Sequence, residues 1–279
     1  MAADGTGVDL RRTVNEHPFW YHVLDLPGGV ATPGWFDLRP VLDRIPIPDV
    51  RGKRCLDIGT YDGFFAFEME RRGAAEVVAV DIEDNMLWDW PIDARPQRRE
   101  DLPGGSYDGA RKGGGFRIAA AALGSNVKWL PLSVYDLDPA TLGTFDVVVC
   151  GSLLLHLRDP VRAVEAIRSV CHGSFVSSEQ IELWLSIIGW RRPLYKLRGM
   201  GEWCQWWLPN ALGHYHLLAV GGFEIEEVSR PFVLRFAAHP LPERSWREQL
   251  DGLGRWALTG GREQGVLHRA IRARPKMFA

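Results

Sequence analysis

The sequence predicts an α/β fold built around a mostly parallel sheet. Three observations predict it. Residues 55–65 combine an apolar strand, a turn bent by two glycines and the start of a helix. A second apolar run, Val77–Val80, ends at the acidic Asp81. Further apolar runs then alternate with helical segments as far as residue 180, and crossovers of this kind join parallel neighbouring strands.

Turn residues and hydrophobic periodicity place the individual elements of the main domain, residues 51–240. The predicted strands are 53–58, 77–80, 127–130, 145–150, 173–180, 223–228 and 232–238. The predicted helices are 64–72, 116–123, 160–170 and 209–220. The last two strands are separated only by Ser229, Arg230 and Pro231, so we expect a C-terminal antiparallel hairpin.

Residues 1–50 form the predicted N-terminal strap. Residues 1–16 are polar and are expected to be frayed, whereas 17–37 mix aromatic residues with Pro and Gly. Such a segment suits an ordered loop that packs on a flat surface. Two interpretations stay open: a hydrophobic strap over the core, or a segment that closes over a cofactor or substrate. A short helix is expected over 38–45.

Two irregular regions and a tail complete the predicted organisation. Residues 84–115 are interpreted as an insertion or long surface loop, with a basic cluster at Arg95, Arg98 and Arg99. Residues 181–208 are rich in tryptophan and are predicted to form a lid. Residues 241–279 are expected to form a helical extension, with helices near 246–258 and 263–272.

Composition limits the classes of function. The chain has 279 residues, 46% of them hydrophobic, a formal net charge of −2 and a pI of about 6.5. Nucleic-acid binding usually requires a basic surplus, so tRNA is disfavoured as a partner without being excluded. The four cysteines form no CxxC pair, and no metal site is expected. Without a signal pattern or a long apolar run, a cytoplasmic protein without a membrane partner is expected.

The glycine turn predicts a nucleoside cofactor without phosphates. It has no GxG, which a dinucleotide turn needs, and the chain has no GxxxxGK[ST] motif. Gly59 allows a ligand to lie against the backbone, while Asp57 orients the loop or reaches an ammonium group. Asp81 is expected to accept hydrogen bonds from ribose hydroxyls. The adenine is expected beside Ile82, Val134 and Tyr135. The amino-acid part of such a cofactor, a methionine, is expected near Cys150 and Gly151.

Residues 54–159 resemble class I S-adenosylmethionine-dependent methyltransferases, which have a Rossmann-like seven-stranded fold. Three further stretches narrow the resemblance: Trp35-Phe36-Asp37, Cys150-Gly151-Ser152-Leu153 and 200–223. They are similar to the tRNA wobble-uridine methyltransferase and carboxymethyltransferase branch and to related bacterial natural-product methyltransferases. The resemblance implies S-adenosylmethionine as cofactor, S-adenosylhomocysteine as product, and cofactor contacts from Trp35, Arg39, Gly59, Thr60, Gly63, Asp81, Val134 and Tyr135.

The chain departs from the carboxymethyl-transferring members at one position. Those members carry a tyrosine just before the histidine that follows the fourth strand. Here Leu154 and Leu155 precede His156, and the lysine-bearing entry segment is also missing. Transfer of a plain methyl group is therefore expected.

A general base is required only if the acceptor loses a proton. The candidates are His156, Glu179, His22 and Tyr21. His156 and Glu179 follow strand ends, where catalytic groups lie in this fold, and histidine titrates near neutral pH. Each also has a structural interpretation. His156 could be a structural histidine that is hydrogen-bonded near Asp159, and Glu179 could be a solvated or ion-paired carboxylate. His22 and Tyr21 could simply be part of the strap.

The sequence indicates the molecule that accepts the methyl group less clearly than it indicates the cofactor. Trp203, Trp206 and Trp207 suit a flat aromatic acceptor or, alternatively, pack as a lid. Three hypotheses remain. The first is methyl transfer to an O or N atom of a small aromatic or polycyclic molecule, in secondary-metabolite or antibiotic biosynthesis. The second is a tRNA wobble-uridine methyltransferase, and the third is a non-catalytic nucleoside-binding protein.

Overall fold

The computed structural model describes residues 5–98, 112–198, 205–237, 246–259 and 265–277. The helices in these ranges are α1 (Gly5–Glu16), α2 (Phe64–Arg71), α3 (Gly114–Leu123), α4 (Pro139–Leu142), α5 (Pro160–Val170), α6 (Leu183–Ile188), α7 (Ala211–Val220) and α8 (Trp246–Thr259). None of them is long and apolar enough to cross a membrane.

The strands in the same ranges are β1 (Asp25–Leu26), β2 (Val30–Ala31), β3 (Phe36–Asp37), β4 (Arg54–Ile58), β5 (Glu76–Asp81), β6 (Lys128–Pro131), β7 (Phe145–Gly151), β8 (Cys171–Gln180), β9 (Tyr195–Leu197), β10 (Trp207–Pro209), β11 (Phe223–Val228), β12 (Phe232–Phe236) and β13 (Val266–Pro275). Nine of these described strands form one sheet in the order β3-β12-β13-β8-β7-β4-β5-β6, with β11 also paired to β13.

The parallel centre of the sheet is confirmed. β4 pairs in parallel with β5 and β7, and β6 and β8 extend the parallel run on either side. The central strands are buried on both faces, which explains why Phe145–Gly151 is nearly continuous in apolar residues. Alternate side chains enter two cores. Val147 and Val149 pack with α2, α3 and the strap, whereas Val148 packs with α5 and α7.

The prediction of a helix over 263–272 is wrong. Val266–Pro275 is strand β13, which lies antiparallel to β8 in register from His268↔Gln180 to Ala273↔Phe175. The predicted helix near 246–258 is present as α8. The C-terminal tail is therefore only partly helical, and its last described element is an inner strand of the main sheet.

The C-terminal strands are antiparallel to their neighbour, but they do not form the expected hairpin with each other. β12 pairs with residues 266–268 of β13, and β11 pairs with residues 271–275. Ser229 continues the ladder between them, since its N–H donates to the Ala270 carbonyl at 2.9 Å and its hydroxyl accepts from the Ala270 N–H at 2.9 Å. β11 and β12 thus occupy one position in the sheet as an interrupted strand. The sheet therefore has the seven strand positions that were predicted, plus the edge strand β3.

The N-terminal strap is more regular than expected. Residues 5–16 form α1 rather than a frayed end, because Val14 is buried in the core and its carbonyl accepts the Trp20 indole N–H at 2.9 Å. The segment expected as a short helix is a 3₁₀ helix, Arg39–Arg44. Phe36 pairs with Phe236, so the strap joins the edge of the main sheet.

The two irregular regions fall partly outside the described residues. Of the insertion at 84–115, residues 99–111 lie outside them, including Arg99 of the basic cluster. Of the lid region at 181–208, residues 199–204 lie outside them. The described part of the lid region contains α6 and the small antiparallel pair β9 and β10.

Candidate functional site

A cavity of about 390 Å³ opens at the carboxyl ends of the parallel strands. Ile58 and Gly59 line it at the end of β4, Asp81 at the end of β5, Gly151 at the end of β7 and Gln180 at the end of β8. Open α/β sheets bind ligands at this edge. The cavity is therefore the candidate functional site.

The glycine turn forms one wall of this cavity. Gly59 has φ +72° and its N–H donates to the Val80 carbonyl at 2.9 Å, which holds the turn against β5. Gly63 has φ +94° immediately before α2. A Cβ atom there would lie 2.4 Å from the Phe67 ring, so the position requires glycine both for its dihedral angle and for space.

We expect Gly63→Ala to destabilise the protein by about 2–5 kcal/mol, because the left-handed φ and the overlap with Phe67 both add strain. Gly52→Ala is the matched control. Gly52 has φ +68° but no atom within 4 Å of the added Cβ, so only the dihedral cost of about 1–2 kcal/mol applies. Urea unfolding measures both, and equal losses of free energy would contradict the steric argument.

Asp57 and Thr60 hold the turn from beneath it. The Asp57 carboxylate accepts hydrogen bonds from the Thr60 hydroxyl at 2.7 Å and the Ala66 N–H at 3.1 Å. Burial raises the pKa of Asp57 to about 7. Neither residue lines the cavity. Of the two roles expected for Asp57, the geometry favours orienting the loop.

Asp81 presents its carboxylate to the cavity. One oxygen accepts the Tyr61 N–H at 3.0 Å, and the other contacts the Lys112 ammonium at 2.9 Å. Lys112 is itself buried and lies over the rings of Tyr61 and Trp88, at 4.7 and 5.1 Å from their centroids. Lys112 was not among the predicted site residues, because the glycine-rich run around it is typical of a solvated loop.

The predicted adenine side is apolar. Ile82, Val134 and Tyr135 all line the cavity next to Asp81. The Tyr135 hydroxyl donates to the Asp89 carboxylate at 2.7 Å and accepts the Asp159 N–H at 3.0 Å, which fixes the ring. An apolar slot beside a carboxylate and a backbone-lined glycine turn fits the nucleoside of S-adenosylmethionine.

Four further predicted cofactor contacts lie in three different places. Trp35 and Gly151 line the cavity, whereas Cys150 is fully buried beneath it. Arg39 lies elsewhere. Its guanidinium pairs with Asp37 at 2.7 Å and with Asp25, at the edge of the strap. The structure therefore does not bring Arg39 to the candidate site.

The candidate bases also divide into two groups. His156 and Tyr21 line the cavity, and His22 and Glu179 do not. His22 is buried, and its desolvation lowers the pKa of its imidazole to about 3. Burial and the charges of Glu179 and Asp62 raise the pKa of Tyr21 far above its ordinary value, so its phenol stays protonated.

Glu179 positions the turn that follows β7. One carboxylate oxygen accepts the N–H groups of Leu153 and Leu154 at 3.0 and 3.1 Å. The other oxygen has no hydrogen-bond partner within the described part of the chain. Burial raises the pKa of Glu179 to about 8. The side chain holds the loop that carries His156 rather than facing the cavity.

We expect Glu179→Gln to flatten the loss of stability with rising pH. The raised pKa means that the folded state binds more protons than the unfolded state up to about pH 8, so stability falls as the pH rises through this window. Between about pH 6.5 and 8 the wild-type protein should lose roughly 1–2 kcal/mol more than the variant. Urea unfolding at both pH values measures this, with Glu182→Gln as control, and parallel pH profiles would contradict it.

Besides Lys112, the polar residues of the cavity that sequence reasoning missed include Ser152, Gln180 and His268. His268 escaped notice because its strand was predicted to be a helix, and a lone histidine in a helix at the chain's end carries no signal. Ser152 belongs to the predicted strand exit but carries no motif of its own.

Aromatic residues from the strap and β12 form a wall of the cavity. They are Phe19, Tyr21, Trp35, Phe36 and Phe236. Tyr21 stacks on Tyr61, with ring centroids 4.8 Å apart and an interplanar angle of 27°. The strap thus contributes both to the core, through Trp20, and to the cavity wall.

The tryptophans predicted for the substrate lie outside this wall. The Trp206 indole donates to the Asp89 carbonyl at 2.5 Å, and the Trp207 indole donates to the Arg158 carbonyl at 3.0 Å. Trp206 also anchors the turn after β7, since its N–H donates to the Leu155 carbonyl at 2.7 Å. These contacts pack both indoles against neighbouring loops rather than into the aromatic wall. Trp203 lies outside the described residues.

Known proteins resemble this chain in sequence and in fold. A family model described as a methyltransferase domain matches residues 37–224. A ubiquinone biosynthesis O-methyltransferase from Neisseria meningitidis serogroup C is 30% identical over 118 residues, 42% of this chain and 39% of that relative. A second such enzyme, from Psychrobacter cryohalolentis, is 24% identical over 205 residues, 71% of this chain and 67% of the relative.

A tRNA U34 carboxymethyltransferase from Campylobacter hominis is 28% identical over 124 residues, 44% of this chain and 34% of that relative. The chain matches only 39% of the length of the Neisseria meningitidis relative.

Solved structures show the same fold. The N-terminal domain of EvdMO1 with S-adenosylhomocysteine bound superposes with a TM-score of 0.54 at 16% identity, covering 96% of this chain and 97% of that one. A protein from Listeria monocytogenes assigned as an S-adenosylmethionine dependent methyltransferase has a TM-score of 0.52 at 16% identity, covering 85% and 97%. Because the family model covers more than half of the chain, the chain belongs to the methyltransferase domain family.

Proposed function

We propose that this enzyme transfers a methyl group to an O or N atom of a small aromatic or polycyclic molecule, in secondary-metabolite biosynthesis. The observation that carries the proposal is the aromatic wall contributed by Tyr21, Trp35, Phe36 and Phe236. Aromatic side chains around an enclosed volume favour a flat apolar ligand. The wall belongs to the same cavity as Asp81, so cofactor and acceptor share one space.

The chain's own residues would align the two ligands and exclude water. Bound S-adenosylmethionine supplies an activated methyl group on its sulfonium. Asp81 would accept the ribose hydroxyls, displacing or sharing the Lys112 ammonium, and Ile82 and Val134 would enclose the adenine. The backbone at Gly59 and Gly151 would accommodate the aminoacyl part. The strap would hold the acceptor ring against this end of the sheet.

The names of the relatives agree with such an acceptor. Two of them are ubiquinone biosynthesis O-methyltransferases. EvdMO1, which shares the fold, was crystallised with D-fucose and S-adenosylhomocysteine. These names favour transfer to oxygen and a small molecule as acceptor. Leu154 and Leu155 before His156 favour a plain methyl group.

A tRNA acceptor is the second candidate. The likeness to a tRNA U34 carboxymethyltransferase favours it, as do the exposed basic side chains of Arg191, Arg192 and Lys196 in the lid region. The formal net charge of −2 and the aromatic cavity wall argue against it.

The test uses the purified full chain in two steps. Calorimetry with S-adenosylhomocysteine measures cofactor binding, and radiolabelled S-adenosylmethionine then measures methyl transfer to a panel of phenols, catechols and aromatic amines. Bulk tRNA at low salt is the parallel arm. Labelled small-molecule product supports the proposal. Labelling of tRNA alone, or of neither substrate class despite cofactor binding, would refute it.

A further inference from the structure

We propose that Ser152 and His268 form a relay that takes the proton from the acceptor's hydroxyl group as its oxygen is methylated. The proposal rests on the proposed function and makes it more specific, because it selects an acidic hydroxyl of the aromatic acceptor as the methylated group. Neither residue was a predicted site residue, and they come together only in the folded sheet.

The pair is built into the cavity from two different parts of the chain. Ser152 follows β7, His268 lies on β13, and both line the cavity. The Ser152 hydroxyl oxygen lies 3.1 Å from His268 Nε2. The imidazole lies nearly parallel to the Phe232 ring, with centroids 6.0 Å apart.

The surrounding hydrogen bonds determine where the imidazole proton lies. His268 Nδ1 is 3.0 Å from the Val266 carbonyl oxygen, which only accepts, so Nδ1 carries the hydrogen. Nε2 is then the free lone pair of the neutral ring, and the Ser152 hydroxyl donates to it. The Gln180 N–H donates to the Ser152 oxygen at 3.2 Å. One lone pair of the Ser152 oxygen remains. It can accept a hydrogen bond from the hydroxyl group of the molecule that is to be methylated.

The same contacts accommodate the protonated state. Once Nε2 carries a proton it donates to the Ser152 oxygen, and the Ser152 hydroxyl can turn to the Ser178 carbonyl, 3.4 Å away. His268 is 4% exposed, and desolvation lowers the pKa of its imidazole to about 4, so the ring is unprotonated and ready to accept before the reaction. Tyr21, also in the cavity, keeps its phenol protonated and cannot take this role.

The acceptor O–H bond breaks, its proton passes to Ser152, and the Ser152 proton passes to His268 Nε2. The acceptor oxygen forms a bond to the methyl carbon, and the electron pair of the carbon–sulfur bond goes to sulfur. Positive charge thus moves from the sulfonium to the imidazolium, which releases its proton to solvent when the product leaves.

The first test follows ionisation rather than turnover. The probe is 4-nitrocatechol, whose phenolate absorbs visible light, added to the complex with S-adenosylhomocysteine. We expect the wild-type protein to bind more of the probe as phenolate than His268→Gln does at the same pH, because the phenolate pairs with the imidazolium that its proton forms at His268. His268→Gln and Ser152→Ala should bind the probe with an affinity within a few-fold of that of the wild-type protein, but they should bind it as the protonated phenol. Ser152→Thr keeps the hydroxyl and should restore ionisation.

The matched control is His214→Gln. His214 is also buried, and its Nε2 lies 2.9 Å from the Ser177 hydroxyl, but the pair does not line the cavity. This variant should leave the ionisation of bound probe unchanged. Equal ionisation in the wild-type protein and His268→Gln would overturn the relay while leaving the aromatic acceptor standing. Failure of the probe and of unsubstituted catechol to bind would overturn the proposed function and the relay together.

The second test separates proton transfer from structural damage. For catechol, His268→Gln should lower kcat/KM by about 10²–10⁴-fold, the usual contribution of a positioned base. For 4-nitrocatechol, which ionises readily in water, the loss should be under about 10-fold. A variant that merely distorts the cavity lowers both rates by the same factor, and that outcome would refute the relay.

Discussion

Replacing Asp81 should weaken S-adenosylhomocysteine binding by at least about 10²-fold, because two hydrogen bonds to a charged group are each worth about 1.5–3 kcal/mol. The carboxylate is 5% exposed and lies at the end of β5, in the wall of the cavity. Its partner complicates a simple substitution. Removing the charge alone leaves the Lys112 ammonium buried without a counter-ion, which destabilises a fold by about 3–5 kcal/mol.

The variant to measure is therefore Asp81→Asn combined with Lys112→Met. It removes both charges, and the Asn oxygen still accepts the Tyr61 N–H, so the turn is kept. Lys112→Met alone keeps the carboxylate, which still accepts the Tyr61 N–H and faces the cavity, so this variant should bind the ligand within about 10-fold of the wild-type protein. Asp84→Asn, three residues further along the chain, is the matched control. Calorimetry that finds wild-type affinity in the double variant would show that Asp81 does not hold the ribose.

Asp81 also shows why the cofactor half of the site was predictable. Its signal is local: a strand, two spaced glycines and an acid at the end of the next strand. Backbone geometry enforces that order, since Gly59 and Gly63 need positive φ and the acid must follow a parallel neighbour. Such constraints act over a few residues and can be seen in a single sequence.

The acceptor half was not predictable in the same way, and β13 shows the reason. Its buried residues are Leu267, His268, Ala270, Ile271 and Ala273. That spacing, with Arg269 and Arg272 between the buried residues, is typical of a helix. Pairing with β8 on one side and with β11 and β12 on the other overrides the local preference. His268 therefore reaches the cavity through pairing with a strand that lies about ninety residues earlier.

The strap explains a second gap between sequence and structure. Its aromatic residues were open to two interpretations, and the contacts combine them. Trp20 is buried in the core while Tyr21, next in sequence, faces the cavity. The residue that ties the strap down is Asp62, inside the glycine turn. An Asp beside a glycine is usual in any turn. Nothing in the sequence therefore indicates that Asp62 binds Tyr21, forty-one residues earlier.

We expect Asp62→Ala to lower the free energy of unfolding by about 2–5 kcal/mol. One Asp62 oxygen accepts the Tyr21 N–H at 2.6 Å and the His22 N–H at 2.9 Å, and the residue is 2% exposed. Truncation leaves both backbone donors buried without an acceptor, at a cost of about 1–3 kcal/mol each. Asp62→Asn is the matched variant, since its amide oxygen can accept both bonds, and it should lose less than half as much.

The same substitution links the strap to acceptor binding. Tyr21 lies in the aromatic wall, and the Asp62 bonds together with the Trp35 and Phe36 pairing position its backbone over the glycine turn. Below its unfolding transition, Asp62→Ala should be cleaved faster by trypsin within the strap and should bind 4-nitrocatechol at least about 10-fold more weakly. Binding of S-adenosylhomocysteine should fall less, because Asp81 and the Gly59 backbone do not depend on the strap. Equal losses for the two ligands would mean that Asp62 supports the glycine turn itself, and unchanged binding of both would remove the strap from the acceptor site.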